Sequence, residues 1–312
     1  MAIKKERHFN LVTILGPTAS SKTSFAAHLA NKLCGEIISA DSRQVYRQMN
    51  LGTGKDYEDY IVNDKAVPYH LVDIVDPGYK YNVFEYQRDF LQAFKDITSR
   101  GRLPVLCGGT GLYIDAAVKG YKLIPVPPDE NLRKKLSAKT LDELTKMLAS
   151  MKKMHNYTDV DTKARAIRAI EIERYYHEHP VISDDYPPIR NLCLGIKFDR
   201  STERSRITER LHRRLEAGMI DEVKALIDRG LSPENLIYYG LEYKYITLHL
   251  TGKLPYDEMV KQLNIAIHQF AKRQMTWFRK MEREGTTIHW IAGELSVDEK
   301  LTIAYSLLDS ND

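Results

Sequence analysis

Eight consecutive residues, Gly16, Pro17, Thr18, Ala19, Ser20, Ser21, Lys22 and Thr23, have the types and spacing to hold a phosphate group. A glycine lets the backbone turn tightly. A helix opened by Lys22 and Thr23 would aim its unpaired N–H groups, and the positive end of its dipole, at bound anionic oxygens. Lys22 adds a full charge on a flexible stem, and Thr23 offers a hydroxyl to a Mg²⁺ ion. The run follows the G-x-x-x-x-G-K-[ST] pattern except at Ser21, which stands where the second glycine is expected. If that position needs a left-handed backbone, the added Cβ costs roughly 1–2 kcal/mol. The plain alternative is a strand–turn–helix junction that holds no ligand.

A carboxylate comes next. Asp41 follows the apolar run Glu36-Ile37-Ile38-Ser39-Ala40 directly, which places it at the carboxyl end of a strand, where open α/β sheets bind ligands. Asp41 and Ser42 are equally good helix caps, and the two roles are compatible. A second glycine-rich turn, Gly108-Gly109-Thr110-Gly111, follows the apolar strand 103–107 and can bring backbone N–H groups close to a ligand. Gly52-Thr53-Gly54-Lys55 reads as a turn, with a turn placed near phosphate as the lesser alternative.

The elements that must carry these residues alternate. Residues 11–15, 36–40, 69–75 and 103–107 read as strands, with helices at 24–33 and 83–98 between them. That order predicts an α/β fold, a P-loop-type doubly wound parallel sheet. Prolines at 125, 127 and 128 and at 187 and 188 bracket a charged segment of helical pattern, predicted to be a small all-helical insertion. The expected division is residues 1–122, 123–190 and 191–312. Within the insertion Arg165 and Arg168 share a helix face with Glu171 and Arg174, by default a solvated face laced with ion pairs. Residues 191–198 read as another core strand, residues 200–230 as a long helix, residues 256–284 as a last long helix, and residues 286–291 as a closing strand. In the first of these helices Arg206, Arg210 and Arg213 form one stripe beside Ile207, Leu211 and Leu215; guanidinium forks there can clamp a diphosphate or a nucleic-acid backbone, or merely face water. In the last helix Met259, Leu263, Ile267, Phe270, Trp277 and Met281 mark the core side, and Lys272, Arg273, Arg279, Lys280 and Arg283 crowd the final half.

Over 312 residues, 43% hydrophobic and 28% charged content suit a globular protein with one large domain and a smaller unit. No apolar run approaches the ~20 residues that span a bilayer. Three cysteines without pairing or metal spacing point to free thiols in a reducing compartment, so a cytoplasmic location and a monomer are expected. A net charge of +4 permits a polyanionic partner without requiring one.

Four of these stretches, in order, resemble the tRNA dimethylallyltransferase (isopentenyltransferase, or IPP transferase) family. Residues 16–23 are similar to its GPTASGKT loop, residues 41–53 (DSRQVYRQMNLGT) to its DSxQVYxxMDIGT segment, residues 108–113 to GGTGLY, and residues 271–279 (AKRQMTWFR) to AKRQxTWxR. The resemblance runs from about residue 10 to about residue 290, and four motifs in sequence are highly specific. It implies transfer of a dimethylallyl group from dimethylallyl diphosphate to N6 of adenosine 37, 3′-adjacent to the anticodon, in tRNAs reading codons that begin with U, giving N6-isopentenyladenosine. It also implies Gly16 to Thr23 on the diphosphate, Mg²⁺ at Thr23, and catalytic roles for Asp41 as general base and for Lys22 and Arg206 on the diphosphate. The tRNA contacts implied are Asp41, Ser42, Arg43, Gln44, Thr110, Arg133, Arg165, Arg168, Lys272 and Arg273, with the three insertion arginines on the anticodon stem-loop. This chain departs from the pattern at Ser21, at Asp56 (where the family usually has Pro after GTxK) and at Leu241-Glu242-Tyr243, which interrupts the common LGYxE run. Two rival readings remain: a P-loop kinase or NTPase binding ATP, and a tRNA-binding paralogue of weak activity.

Overall fold

The computed structural model describes residues 8–151, 160–179 and 186–309. The chain forms two compact units, one of residues 1–120 and 188–312 and one of Tyr121–Pro187.

The larger unit is built on β1 (Leu11–Leu15), followed by α1 (Lys22–Leu33) and β2 (Glu36–Ser39). A small antiparallel hairpin, β3 (Ile61–Val62) with β4 (Lys65–Ala66), precedes β5 (Tyr69–His70), α2 (Val83–Ser99), β6 (Pro104–Gly108) and α3 (Gly111–Lys119). After the second unit's three helices, α4 (Glu130–Ser137), α5 (Leu141–Met151) and α6 (Lys163–Glu178), come β7 (Asn191–Lys197), α7 (Arg200–Glu216), α8 (Met219–Asp228), α9 (Pro233–Tyr238), α10 (Leu241–Leu250), α11 (Tyr256–Arg283), β8 (Ile288–Ala292) and α12 (Val297–Asp309).

Six strands pair in the order β5-β2-β6-β1-β7-β8, every pair parallel. Along β1, Leu11 and Leu15 enter the core on one face while Val12 and Ile14 enter the core on the other, all at 0% exposure. Burial on both faces is why this strand reads as a continuous apolar run. The carboxyl ends of β1, β6 and β2 lie side by side, so the turns that leave them share one edge. Gly108 is needed there: a Cβ on it would stand 2.2 Å from the Ala40 carbonyl oxygen.

Three expectations about the elements of this unit need correction. The strand expected over 69–75 stops at His70, because Leu71 and Asp73 adopt left-handed backbone (φ 62° and 56°) that no strand accommodates; only a single bridge from Tyr46 to Val75 resumes the pairing. The helix expected over 200–230 is two helices, broken at Gly218 with φ 95°. On α11, Phe270 is 37% exposed, with the Arg273 guanidinium 5.9 Å from its ring centre, and Phe278 holds the core position instead. The tight turn at 217–218 and the αL residues depend on local geometry that a hydrophobic period does not encode.

The smaller unit has its own core of Leu136, Leu144, Leu148, Val160, Ala166, Ala169 and Ile170. Its charged centre is Glu171, 3% exposed, which accepts from Arg133 Nε and Nη2 at 2.9 Å each, from the Asp129 N–H at 2.6 Å and from Arg168. The face expected to be solvated is therefore buried at Glu171, where Arg133 and Arg168 pair with it, whereas Arg165 pairs with Asp161 on the surface.

Candidate active site

The phosphate-loop reading depends on Ser21, and its backbone is left-handed, φ 58° and ψ 25°, as N-cap of α1. Ala19 is also left-handed, φ 61°. Both strained residues are held by one side chain of α7: Arg206 Nε donates to the Ala19 carbonyl at 3.0 Å and Nη2 to Ser21 Oγ at 2.6 Å. The Phe198 ring supports the same guanidinium from a 4.3 Å centroid distance. Ser21 therefore accepts a hydrogen bond that a glycine could not. Among the described residues the Ser20 hydroxyl, inside the loop, is buried without a hydrogen-bond partner.

Lys22 donates to the Pro17 carbonyl at 3.2 Å. Burial pulls its ammonium below the usual lysine range; Arg210 adds to the fall, while Asp41 and Asp56 oppose it. An incoming anion would offset that depression by Coulomb attraction.

The arginine stripe expected as 206, 210 and 213 is in fact 206, 210 and 214. Arg213 is exposed, and Arg214 turns inward four residues after Arg210. Arg210 Nη1 donates to Thr18 Oγ1 at 3.2 Å and Nη2 to Asp56 at 3.1 Å; Arg214 Nη2 donates to both Asp56 oxygens at 3.0 and 3.1 Å. Burial and the neighbouring Arg214 bring the Arg210 guanidinium down to about 10, still cationic at neutral pH. Burial alone would raise the Asp56 carboxyl, but Arg214 and Arg210 hold it below the usual range. Gly54 makes the approach possible: at φ 75° its missing Cβ would lie 2.5 Å from Arg210 Nη2. Next to the loop, Ile207, Leu211, Met219 and Ile267 line one pocket with Thr18, Ala19, Arg210, Arg214 and Glu242. Burial pushes the Glu242 carboxyl up.

Asp41 lies just past β2, where its Oδ1 accepts from the Arg43 N–H at 2.9 Å. Thr110 tops β6 between the Asp41 turn and the phosphate loop; its Oγ1 accepts from the Ser42 N–H at 3.1 Å and its N–H donates to the Ala40 carbonyl at 3.1 Å. Gln44 faces inward, accepting from Ser39 Oγ and donating to the Gly54 carbonyl, so it braces this edge. Lys272 and Arg273 are exposed on α11.

Gln274, between them and the core, had no role assigned from sequence. Its Oε1 accepts from the Thr18 N–H at 2.9 Å and its Nε2 donates to the Gly109 carbonyl at 2.9 Å, fastening the two glycine-rich turns together. The signal was a lone polar residue on the buried stripe that Ala271, Phe278 and Met281 define. Asp56 and Arg214 were missed as a pair because their contact spans 158 positions of sequence.

For a Mg²⁺ ion the donor set is sparse. Among the described residues no group of three or more His, Cys, Asp or Glu side chains could hold a metal. Magnesium keeps several waters and takes phosphate oxygens with one or two protein ligands, so a lone Thr23 hydroxyl at the helix opening fits an ion that arrives with a diphosphate.

Residues 44–281 match the IPP transferase family model, and residues 9–66 match an isopentenyl transferase model. The chain is 60% identical over 293 residues to tRNA dimethylallyltransferase 2 of Bacteroides fragilis, covering 94% of this chain and 96% of the relative. It is 58% identical over 304 residues to tRNA dimethylallyltransferase 1 of Parabacteroides distasonis, covering 97% and 99%. Among solved structures, the full-length tRNA isopentenylpyrophosphate transferase of Bacillus halodurans superposes with a TM-score of 0.70 at 32% identity over 96% of this chain and 95% of that one. A eukaryotic dimethylallyltransferase acting on tRNA shares the fold, with a TM-score of 0.75 at 20% identity over 96% and 79%. With a family model matching residues 44–281 and relatives this similar over nearly its whole length, the chain belongs to the IPP transferase family, the tRNA dimethylallyltransferases, which are prenyltransferases.

Proposed function

We propose that this chain transfers a dimethylallyl group from dimethylallyl diphosphate to N6 of adenosine 37, 3′-adjacent to the anticodon, in tRNAs reading codons that begin with U, leaving N6-isopentenyladenosine. The observation that carries the reading is the shared edge: the cradle of Ala19, Ser21, Lys22 and Arg206 on one side, Asp41 on the other, and Thr110 between them. A prenyl diphosphate has an anionic half and an apolar half. The pocket beside the loop offers a wall for each, the arginines for one and Ile207, Leu211, Met219 and Ile267 for the other.

The chemistry follows from these groups. An exocyclic adenine amine is a weak nucleophile because its lone pair is delocalised into the ring. As the N6–C1 bond forms and the C1–O bond to diphosphate breaks, Asp41 takes the amine's proton, an aid worth roughly 10²–10⁴-fold. Negative charge grows on the departing diphosphate, which Lys22, Arg206, Arg210 and the N–H groups opening α1 would stabilise. Mg²⁺ bound through Thr23 and the phosphate oxygens would neutralise part of that charge. The adenosine must leave its stack to meet Asp41. Thr110 then borders the base, Ser42 and Arg43 line the RNA side, Lys272 and Arg273 offer phosphate contacts, and Arg133, Arg165 and Arg168 meet the anticodon stem-loop, positioning the RNA without reading its sequence.

The test is incubation with isotopically labelled dimethylallyl diphosphate and tRNA made without modification, followed by mass spectrometry of the digested nucleosides. Label at N6 of adenosine 37 is the expected result. RNA that stays unlabelled while γ-labelled ATP phosphorylates a small acceptor would overturn it.

A further inference from the structure

Beside the Asp41 turn is a surface of which the roles above use Arg43 alone. Tyr238, the last residue of α9, is 47% exposed, and Tyr79 is 50% exposed. The Arg43 guanidinium carbon lies 5.6 Å and the Lys80 ammonium 5.7 Å from the centre of the Tyr238 ring. Among the described residues neither cation has a carboxylate partner, although nearby Arg47 pairs with Asp76 and Arg88 with Asp89.

The patch is built rather than incidental. Tyr238 packs edge-on against Tyr239 (5.7 Å, 77°), and Tyr239 packs edge-on against Tyr46 (4.6 Å, 64°); both inner rings are buried. The Tyr239 hydroxyl accepts from the Gly78 N–H and donates to the Tyr79 carbonyl, and the Tyr46 hydroxyl accepts from the Tyr81 N–H at 3.2 Å. Three segments distant in sequence are thereby pinned to one tyrosine cluster, whose exposed ring lies within 6 Å of two cations that have no carboxylate partner among the described residues. Gly240, at φ 124° and ψ −164°, turns the chain sharply just after the ring. The link to the chemistry is short: Arg43, which leans on the ring, donates its N–H to Asp41.

We infer that Tyr238 is a stacking platform for the RNA base neighbouring the reacting adenosine, with Arg43 and Lys80 on the flanking phosphates. Every base has a π-face, so an aromatic ring holds single-stranded RNA without regard to sequence, and cations beside the ring hold its backbone. A base taken out of its stack leaves neighbours that have lost a stacking partner. A rigid tyrosine next to the carboxylate replaces that partner and holds the loop open. This inference rests on the tRNA-modifying reading above.

The experiment uses the full chain with an anticodon stem-loop carrying 2-aminopurine on either side of the target adenosine. Stacking on Tyr238 quenches that fluorophore on binding. Tyr238→Ala should lose the quench and raise the RNA Kd roughly tenfold or more, leaving the KM for dimethylallyl diphosphate unchanged; Tyr238→Phe and Tyr238→Trp should keep both quench and affinity. Arg43→Gln with Lys80→Gln should lower the slope of log Kd against log salt by about 1.4, two single-strand phosphates at roughly 0.7 each. An RNA Kd and quench unmoved by Tyr238→Ala would overturn the platform, and equal losses in the Ala, Phe and Trp variants would reduce it to a packing residue. Wild-type protein that quenches the probe yet transfers no label would count against the proposed reaction and not against the platform.

Discussion

Exchanging one oxygen for an amide at Asp41 isolates what that carboxylate does. Asp41→Asn keeps the size of the side chain and an oxygen to accept from the Arg43 N–H, so folding and RNA affinity should hold while turnover falls by at least ~10². Single-turnover rates with saturating substrates check this, and an unchanged rate removes Asp41 from the mechanism. Ser21 poses a different question. The left-handed backbone at 21 makes glycine the easier residue there, worth roughly 1–2 kcal/mol, yet Ser21 Oγ accepts from Arg206. Ser21→Gly should therefore raise thermal stability and free one arm of Arg206 for the diphosphate, lowering the KM for dimethylallyl diphosphate. Melting temperature and initial rates read the two effects separately. A higher KM would mean that Ser21 is the residue that sets Arg206 in place.

At the scale of elements, α7 and α11 close the site that β1, β2 and β6 open. Gln274 on α11 joins the two glycine turns, and removing its amide strands the Thr18 N–H and the Gly109 carbonyl in a buried place. Gln274→Leu should cost about 1–3 kcal/mol in urea denaturation and weaken diphosphate binding more than RNA binding. This is also where the limits of the sequence are clearest. The strand–loop–helix of β1 and α1, the carboxylate after β2 and the turn after β6 were legible because each is a local pattern: an apolar run ending at a glycine or an acid. The pairing of Arg210 and Arg214 with Asp56 was not, since choosing 214 over 213 depends on how α7 rolls against the phosphate loop, which no spacing within the helix states. Leu71 and Asp73 were misjudged for a related reason. An apolar run looked like a strand, but Lys55 and Tyr57 bind Asp73 and hold it in a left-handed turn. The family departures at Asp56 and Glu242 turn out to be neighbours of the same two arginines, so positions that looked like scattered exceptions share one site.

Across the whole sheet, the candidate site and a buried charge cluster sit at opposite ends of the strands. The carboxyl ends of the strands carry the phosphate loop, Asp41 and Thr110, with left-handed residues and an unpartnered serine hydroxyl among them. The opposite end of β2 carries Glu36, 1% exposed, on which Arg100, Arg102 and His70 converge from the C-cap of α2, the turn before β6, and β5. Burial would raise the Glu36 carboxyl, but the hydrogen bonds from Arg100 and His70 outweigh it and bring it down to about 2, from an ordinary 4.5. A carboxyl with a depressed folded value stabilises the fold fully above its unfolded value and loses that contribution as it takes up a proton. The clasp should thus be intact at neutral pH and fail progressively from about pH 4.5 down to about pH 2. Urea midpoints of the wild type and Glu36→Gln should differ clearly at pH 7 and converge at acid pH, because protonation and the amide remove the same charge. A gap that persists at the lowest pH where the wild type still folds would mean that Glu36 contributes by packing and hydrogen bonding, and that the edge away from the chemistry is held by shape instead of charge.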